Sequence, residues 1–141
     1  YLIKLDTNGS LPHRLESVLA TGLVDMVAMD LKHAPDRYPD ATGCDLPFAP
    51  FAESMDIIRK SGLPFEFRTT LVKGLHTPES MEDTGRWLAG DERFFLQTFE
   101  DSGDLIVGDP EAGGLSAFDA DETRALLQTL RHYVPNAQIR S

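Results

Sequence analysis

The sequence contains a single cysteine, Cys44, among its 141 residues. One cysteine cannot close a disulfide within the chain, and one thiolate is too few for the multi-cysteine zinc and iron–sulfur sites of proteins. No basic residue adjoins Cys44 to activate its thiol. A disulfide framework, and a metal centre built on cysteines of this chain alone, are therefore excluded.

Long apolar runs and an excess of positive charge are also missing. No apolar segment approaches the roughly 18 residues of a membrane-spanning helix, and no signal-peptide pattern opens the chain. There are 13 lysines and arginines against 23 aspartates and glutamates, which gives a net charge of −10. Nucleic-acid-binding proteins usually present a basic face. We therefore expect a cytoplasmic protein with no membrane and no nucleic-acid partner.

The sequence does contain a regular alternation of strand-like and helix-like segments. Apolar runs of strand length occur at 1–5, 24–29, 65–72, 94–99 and 137–140. Amphipathic helices are predicted between them, beginning near Ser10, Pro50, Thr77 and Asp119. In the first helix Leu15, Val18 and Leu19 would share the inward face, and residues 33–49 are predicted to form a long loop.

This alternation predicts an α/β fold, a parallel (β/α) repeat with right-handed crossovers. The repeat fits either an open, doubly wound sheet or part of a (β/α) barrel. A complete eight-unit barrel needs about 250 residues, so a chain of 141 residues can form only a portion of one. Residues 1–141 would therefore form one domain or part of one.

Polar side chains interrupt the apolar runs where each predicted strand ends. They are Asp6 and Thr7, then Asp30 and Lys32, then Arg68, Thr69 and Thr70, and finally Gln97. In both parallel architectures ligands bind at the carboxyl ends of the strands. Four successive strands therefore direct polar groups to one rim, which predicts a binding site there.

Asp6 and Asp30 determine the chemistry expected at this rim. Two carboxylates in contact repel each other, so both stay ionised only if a cation or an ammonium group joins them. Lys32 could bridge the two carboxylates, or it could hold the carboxylate of a ligand. Arg68 can grip carboxylate or ribose oxygens with its planar guanidinium.

These residues belong to segments that resemble the later part of a radical S-adenosylmethionine (SAM) activating enzyme. The segments are Asp6-Thr7-Asn8-Gly9, Met29-Asp30-Leu31-Lys32, Glu53-Ser54, Glu66-Phe67-Arg68-Thr69-Thr70 and Gln97-Thr98-Phe99. The type that the chain resembles is the activating protein of anaerobic ribonucleoside-triphosphate reductase, and the pyruvate formate-lyase activating enzyme is a more distant relative. The Glu-Phe-Arg-Thr-Thr segment, with its spacing from Asp-Leu-Lys, is the most specific part.

The resemblance implies a partial (β/α)6 barrel, related to the TIM barrel, of which this chain would be the last four units. In such enzymes a [4Fe-4S] cluster binds SAM and cleaves it reductively. The resulting 5'-deoxyadenosyl radical abstracts hydrogen from a glycine of a partner, here the anaerobic ribonucleotide reductase. Flavodoxin or ferredoxin would supply the electron.

The resemblance also assigns roles to residues at the rim. Asp6, Thr7, Asp30 and the carbonyl of Leu31 would match a monovalent-cation site beside the SAM carboxylate. Lys32 would approach that carboxylate, and Arg68 and Thr70 would lie along the bound SAM. The strand end that carries Gln97 and Phe99 would face the adenine.

Two motifs of this family are missing from the chain. One is the cluster loop, with three cysteines spaced Cys-x3-Cys-x2-Cys, and the other is a Gly-Gly-Glu segment that meets the SAM amino group. Gly113-Gly114 is no substitute, since it follows the fourth predicted strand. Both motifs would precede Tyr1, so we expect this chain to be a fragment that is inactive alone.

Two other functions remain open from the residues. Lys32 could form a Schiff base, because barrel aldolases place a desolvated lysine at a strand end. Alternatively, the chain could be a non-catalytic half-barrel that binds a partner through an exposed sheet edge. Among the histidines, His33 directly follows the Asp-Leu-Lys segment and could touch a ligand, but it is expected at the surface, and His76 is expected in a structural role.

Overall fold

The computed structural model describes residues 1–42, 48–88, 93–99 and 116–140. The strands are β1 (Lys4–Thr7), β2 (Met26–Asp30), β3 (Phe65–Leu71), β4 (Phe94–Thr98) and β5 (Gln138–Arg140). The α-helices are α1 (Pro12–Ala20), α2 (Tyr38–Thr42), α3 (Ala49–Lys60), α4 (Pro78–Leu88) and α5 (Ala120–Arg131). The predicted parallel (β/α) repeat is confirmed.

The five strands form one parallel sheet in the order β1-β2-β3-β4-β5. Each strand lies beside the one that precedes it in the sequence, whereas in a doubly wound sheet the strand order reverses at a switch point. Because crossovers of this kind are right-handed, a sheet wound in one direction carries its helices on one face. The winding is therefore that of a barrel segment.

The two faces of the sheet differ sharply in polarity, as the alternation along β3 illustrates. Phe65, Phe67 and Leu71 join the hydrophobic core with residues of the helices, among them Met55 and Met81. The residues between them have the opposite orientation. With their neighbours in register they form what we call the polar face, whose polar members are Lys4, Asp6, Asp30, Glu66, Arg68, Thr70, Gln97, Gln138 and Arg140.

Glu66 is the most buried charge on the polar face, with 1% of its side chain exposed. Its Oε1 lies 3.0 Å from Nζ of Lys4 on β1. Its Oε2 lies 2.9 Å from Nη2 of Arg140 on β5, out of line for a hydrogen bond, so this contact acts as an ion pair. The Arg140 guanidinium also lies 3.8 Å from the centre of the Phe95 ring. The triad of Lys4, Glu66 and Arg140 thus joins the two outermost strands to the central one.

The turn after β1 depends on Gly9. This residue has φ of +75°, which residues with a side chain rarely adopt. A Cβ here would lie 2.9 Å from Sδ of Met29 and would also overlap Cε of that side chain. The Gly9 carbonyl accepts a hydrogen bond of 2.7 Å from Oγ of Ser54 on α3. The Asn8-Gly9 turn therefore brings the backbone close to β2 and α3.

Two local predictions were wrong. The segment expected to be a loop contains a 3-10 helix at Pro35–Arg37 and the short helix α2. Tyr38 stabilises this structure, because its buried ring packs 4.5 Å from that of Phe51. Val18 is 41% exposed instead of facing inward. It lies beside β1, where the sheet has no further strand in the part of the chain described.

The predicted helix start at Asp119 is confirmed. Its carboxylate accepts a hydrogen bond of 2.7 Å from the Glu122 N–H, and the Glu122 carboxylate accepts one of 2.9 Å from the Asp119 N–H. This reciprocal capping box satisfies two N–H groups that a helix leaves without an internal partner. It sets the position at which α5 begins, before the chain returns to β5.

We expect Glu66→Gln to lower the free energy of unfolding by about 2 kcal/mol at pH 7, since a buried charge cluster loses its central anion. Burial raises the pKa of the Glu66 carboxyl, but its contacts with Arg140 and Lys4 outweigh burial and the pKa is lowered. The wild-type advantage should therefore be complete above the ordinary pKa of glutamate and disappear as the pH falls through the lowered pKa. Urea denaturation of the wild type and of Glu66→Gln, at pH 7 and at lower pH, measures this difference in the free energy of unfolding.

The matched control for this prediction is Glu16→Gln, which changes an exposed glutamate of α1. Its effect should be small and nearly independent of pH. An equal decrease in the free energy of unfolding in the two variants would mean that the triad contributes nothing specific to stability.

A second prediction compares two glycines with the same backbone conformation. Gly22 has φ of +74° and nothing within 4 Å of an added Cβ, so Gly22→Ala should cost only the left-handed backbone penalty of about 1–2 kcal/mol. Gly9→Ala should cost clearly more, because Met29 must also move. Thermal denaturation of the two variants measures the difference, and equal melting temperatures would contradict a structural role for the close approach at Gly9.

Candidate functional site

The carboxyl ends of β1 to β4 bring the predicted site residues to one rim of the polar face. The register pairs Asp30 with Arg68 and Thr70 with Gln97 across neighbouring strands. Asp6 precedes the last residue of β1, two strands from Arg68. The expected convergence of acidic and basic groups is thus present in the structure.

Arg68 is the cation that joins the two carboxylates. Its Nε donates a hydrogen bond of 2.6 Å to Oδ1 of Asp30, and its Nη2 lies 3.5 Å from Oδ1 of Asp6. Burial lowers the pKa of the Arg68 guanidinium, but Asp30, Asp6 and Glu66 together outweigh burial and raise it. The guanidinium therefore stays charged and neutralises the carboxylate pair, a role for which Lys32 was also a candidate.

The Lys32 side chain is exposed and forms no ion pair with any described residue. Its backbone, in contrast, is held on both sides. The Lys32 N–H donates a hydrogen bond of 3.0 Å to Oη of Tyr38, and the Lys32 carbonyl accepts one of 2.9 Å from Nε2 of His76. Burial raises the pKa of Tyr38 to about 12, so its hydroxyl stays protonated. A fixed backbone thus carries an ammonium group that is available to an anion.

A cavity of about 370 Å³ opens beside Lys32. Its lining residues are Asp30, Leu31, Lys32, Ala41, Thr70, Val72, Leu75, His76 and Phe99. This volume is in the range of small-molecule and cofactor sites. Its walls are largely apolar, and Asp30 and Lys32 are the charged residues among those that line it. The cavity therefore suits a ligand with an apolar or aromatic part and a charged end.

The remaining predicted site residues lie around this cavity or at the rim. The Thr70 hydroxyl lies 3.4 Å from Oε1 of Gln97, to which it donates. The Thr7 hydroxyl accepts a hydrogen bond of 3.0 Å from the Gly9 N–H. The Leu31 carbonyl accepts one of 2.7 Å from Oγ1 of Thr69. Asp6, Thr7, Arg68 and Gln97 do not line the cavity itself.

His33 corrects a prediction, since it is buried, with 2% exposed, and not at the surface. Its Nε2 donates a hydrogen bond of 2.9 Å to the Leu75 carbonyl, and its ring lies 4.7 Å from that of His76. The structural role expected for His76 is confirmed by its burial and its bond to Lys32. Burial lowers the pKa of His76 to about 4, with a further contribution from His33. The His76 imidazole is therefore neutral at pH 7.

Sequence reasoning missed Tyr38 and the burial of His33, and for His76 it gave a structural role without its hydrogen-bond partners. Their contacts join positions up to 44 residues apart, for example the Lys32 carbonyl and His76. No local pattern reports such a contact. The one usable signal was that His33 directly follows the Asp-Leu-Lys segment.

Some expectations fall on residues outside those described. These are Cys44 and Gly113-Gly114. Within the described ranges, no three histidines, cysteines or acidic residues are grouped so that they could hold a metal ion. Likewise, none of the helices described is long and apolar enough to cross a membrane.

Comparisons with known proteins concern the sequence and the fold of the chain. No protein-family model matches the chain. A protein of Methanocaldococcus jannaschii, provisionally named a glycyl-radical enzyme activating enzyme, is 27% identical over 143 aligned positions, which cover 99% of this chain. The chain spans only 58% of the length of that relative.

Two solved structures resemble the whole chain in fold. A domain of a pyruvate-formate lyase-activating enzyme from Bacteroides vulgatus aligns with a TM-score of 0.71 and 17% identity, over 98% of this chain and 80% of that domain. A radical SAM methyltransferase from Sphaerobacter thermophilus aligns with a TM-score of 0.74 and 19% identity, over 98% of this chain and 40% of the methyltransferase. The chain therefore shares the fold of these two structures, and its sequence is similar to that of the Methanocaldococcus jannaschii protein.

Proposed function

We propose that this chain is the SAM-binding part of a radical SAM enzyme that generates a glycyl radical on a partner enzyme. The observation that carries the proposal is the cavity that the exposed Lys32 helps to line, together with the Asp30–Arg68 ion pair beside it. The similarity to a relative named as a glycyl-radical enzyme activating enzyme supports it. For the partner we propose an anaerobic ribonucleoside-triphosphate reductase, and flavodoxin or ferredoxin as the electron donor.

The donor groups at the rim fit SAM. Its carboxylate matches the ammonium group of Lys32, for which no other anion competes among the described residues. Its adenine matches the apolar part of the cavity, which Phe99 helps to line. Its ribose hydroxyls match the polar groups of Arg68, Thr70 and Gln97. SAM would supply the carbon–sulfur bond whose cleavage starts hydrogen abstraction.

The proposed monovalent-cation site involves Asp6, Thr7, Asp30 and the Leu31 carbonyl. Oxygen ligands of this kind suit a hard cation. The Arg68 guanidinium already holds Asp30 and Asp6. A bound ion would therefore share these carboxylates with Arg68.

The residues of this chain do not fit a [4Fe-4S] cluster. Such a cluster takes several cysteine thiolates, and the chain has only Cys44. We therefore propose that the cluster is bound by a segment outside these residues. The part of the reaction that belongs to this chain is to bind SAM, orient it and exclude water from it.

The first test of this proposal is the affinity for SAM. Lys32→Met should weaken SAM binding about tenfold to a hundredfold, because a charged hydrogen-bonding partner of the carboxylate is lost. Isothermal titration calorimetry on the full-length protein measures the dissociation constant. Lys60→Met, which changes an exposed lysine at the end of α3, is the control and should leave it unchanged. A Lys32→Met variant with unaltered affinity would contradict the assigned role.

The second test concerns iron. The isolated 141-residue chain should bind no stoichiometric iron after anaerobic reconstitution, since its one cysteine cannot hold a cluster. Iron analysis and electron paramagnetic resonance of the reduced sample measure this. A clear [4Fe-4S] signal would contradict the expectation. A full-length protein that binds neither iron nor SAM would favour the non-catalytic half-barrel instead.

A further inference from the structure

His33 and His76 form a buried pair behind Lys32 whose polar atoms all meet backbone groups. The Nδ1 atoms accept hydrogen bonds from the Ala34 N–H at 2.9 Å and the Val72 N–H at 3.0 Å. The Nε2 atoms lie 2.9 Å from the carbonyls of Leu75 and Lys32. Since a carbonyl only accepts, each ring carries its proton on Nε2.

This arrangement excludes the usual functional roles of histidine. Each of the four ring nitrogens already has a backbone partner, so neither ring presents a lone pair or proton to a ligand in the cavity. His33 is only 2% exposed and His76 only 3%, so both rings are also separated from solvent. The pair is neither a metal site nor an acid–base couple.

The pair instead joins two segments that border the cavity. One segment, from Leu31 to Ala34, leaves β2 and carries Lys32. The other, from Val72 to His76, follows β3 and supplies cavity wall at Val72, Leu75 and His76. An imidazole is suited to this task, because its rigid ring accepts on one side and donates on the other.

We infer that His33 and His76 are positioning residues that fix the Lys32 backbone against the cavity wall, so that the Lys32 ammonium meets the carboxylate of the bound ligand. Tyr38 completes the arrangement from the other side through the Lys32 N–H. The identity of the ligand as SAM rests on the proposed function, whereas the joining of the two segments does not. His76 thus acts on the ligand through Lys32 and not by contact of its own polar atoms.

Two substitutions at His76 separate positioning from general stability. His76→Gln keeps a donor near the position of Nε2 and can retain the bond to the Lys32 carbonyl. His76→Asn keeps an acceptor near the position of Nδ1 and can retain the hydrogen bond from the Val72 N–H. It loses the hydrogen bond to the Lys32 carbonyl. Both variants replace a buried ring, so their losses of stability should be similar. His132→Asn, at an exposed position after α5, is the control.

The ligand-free arm is amide hydrogen exchange of the full-length protein. We expect His76→Asn to accelerate exchange in residues 31–38 relative to His76→Gln and His132→Asn, at equal global stability. Unchanged exchange in His76→Asn would overturn the inference whether or not the protein binds SAM. Hydrogen exchange therefore tests the positioning role of His76 independently of the proposed function.

The ligand arm is the dissociation constant of SAM, measured by calorimetry. His76→Asn should weaken binding about fivefold, the effect of one lost hydrogen bond, while His76→Gln stays close to wild type. In a Lys32→Met background the effect of His76→Asn should disappear. Equal weakening in both backgrounds, or in both His76 variants, would overturn positioning through Lys32. No SAM binding by the wild type would instead overturn the proposed function.

Discussion

The pairing of charges on the polar face is the constraint on which the rest of the structure depends. A sheet whose helices cover one face must leave the other face in contact with something else, and here that face carries carboxylates, ammonium groups and guanidinium groups. Glu66 is held between Lys4 and Arg140, and Asp30 is held by Arg68. Buried charges without partners would be costly. Lys32, which follows β2 and lines the cavity, forms no ion pair among the described residues, so its ammonium group is available to an anion.

Much of the fold follows from the sequence because its signals are local. The alternation of apolar runs with amphipathic segments predicts the parallel repeat, and the capping box at Asp119 predicts where α5 begins. The segment after Lys32 was predicted incorrectly, since its prolines indicated a loop. Packing of Tyr38 against Phe51 stabilises helical turns there. Such a contact produces no periodic pattern of apolar residues in the sequence. Tertiary packing thus overrides local propensity.

The candidate site likewise has a part that the sequence predicts and a part that depends on contacts between distant positions. The convergence of Asp6, Asp30, Arg68 and Thr70 follows from strand ends and parallel topology. Which cation joins the two carboxylates depends on side-chain reach across the register, and the sequence left Lys32 as a candidate. The structure has Arg68 in that position. A structural role for His76 was predicted, but its pairing with His33 was not, because the four hydrogen bonds of the pair involve backbone groups from two loops that are distant in the sequence.

The triad of Lys4, Glu66 and Arg140 has a consequence for the order of folding. Each strand–helix–strand unit forms from neighbouring segments, with a small cost in loop-closure entropy. The triad, in contrast, joins the first, third and fifth strands, so it can assemble only after every intervening unit has docked. Interactions that form late stabilise the native state against unfolding without accelerating folding. We therefore expect the ion triad to slow unfolding of the sheet, whereas the local contacts determine how fast the sheet folds.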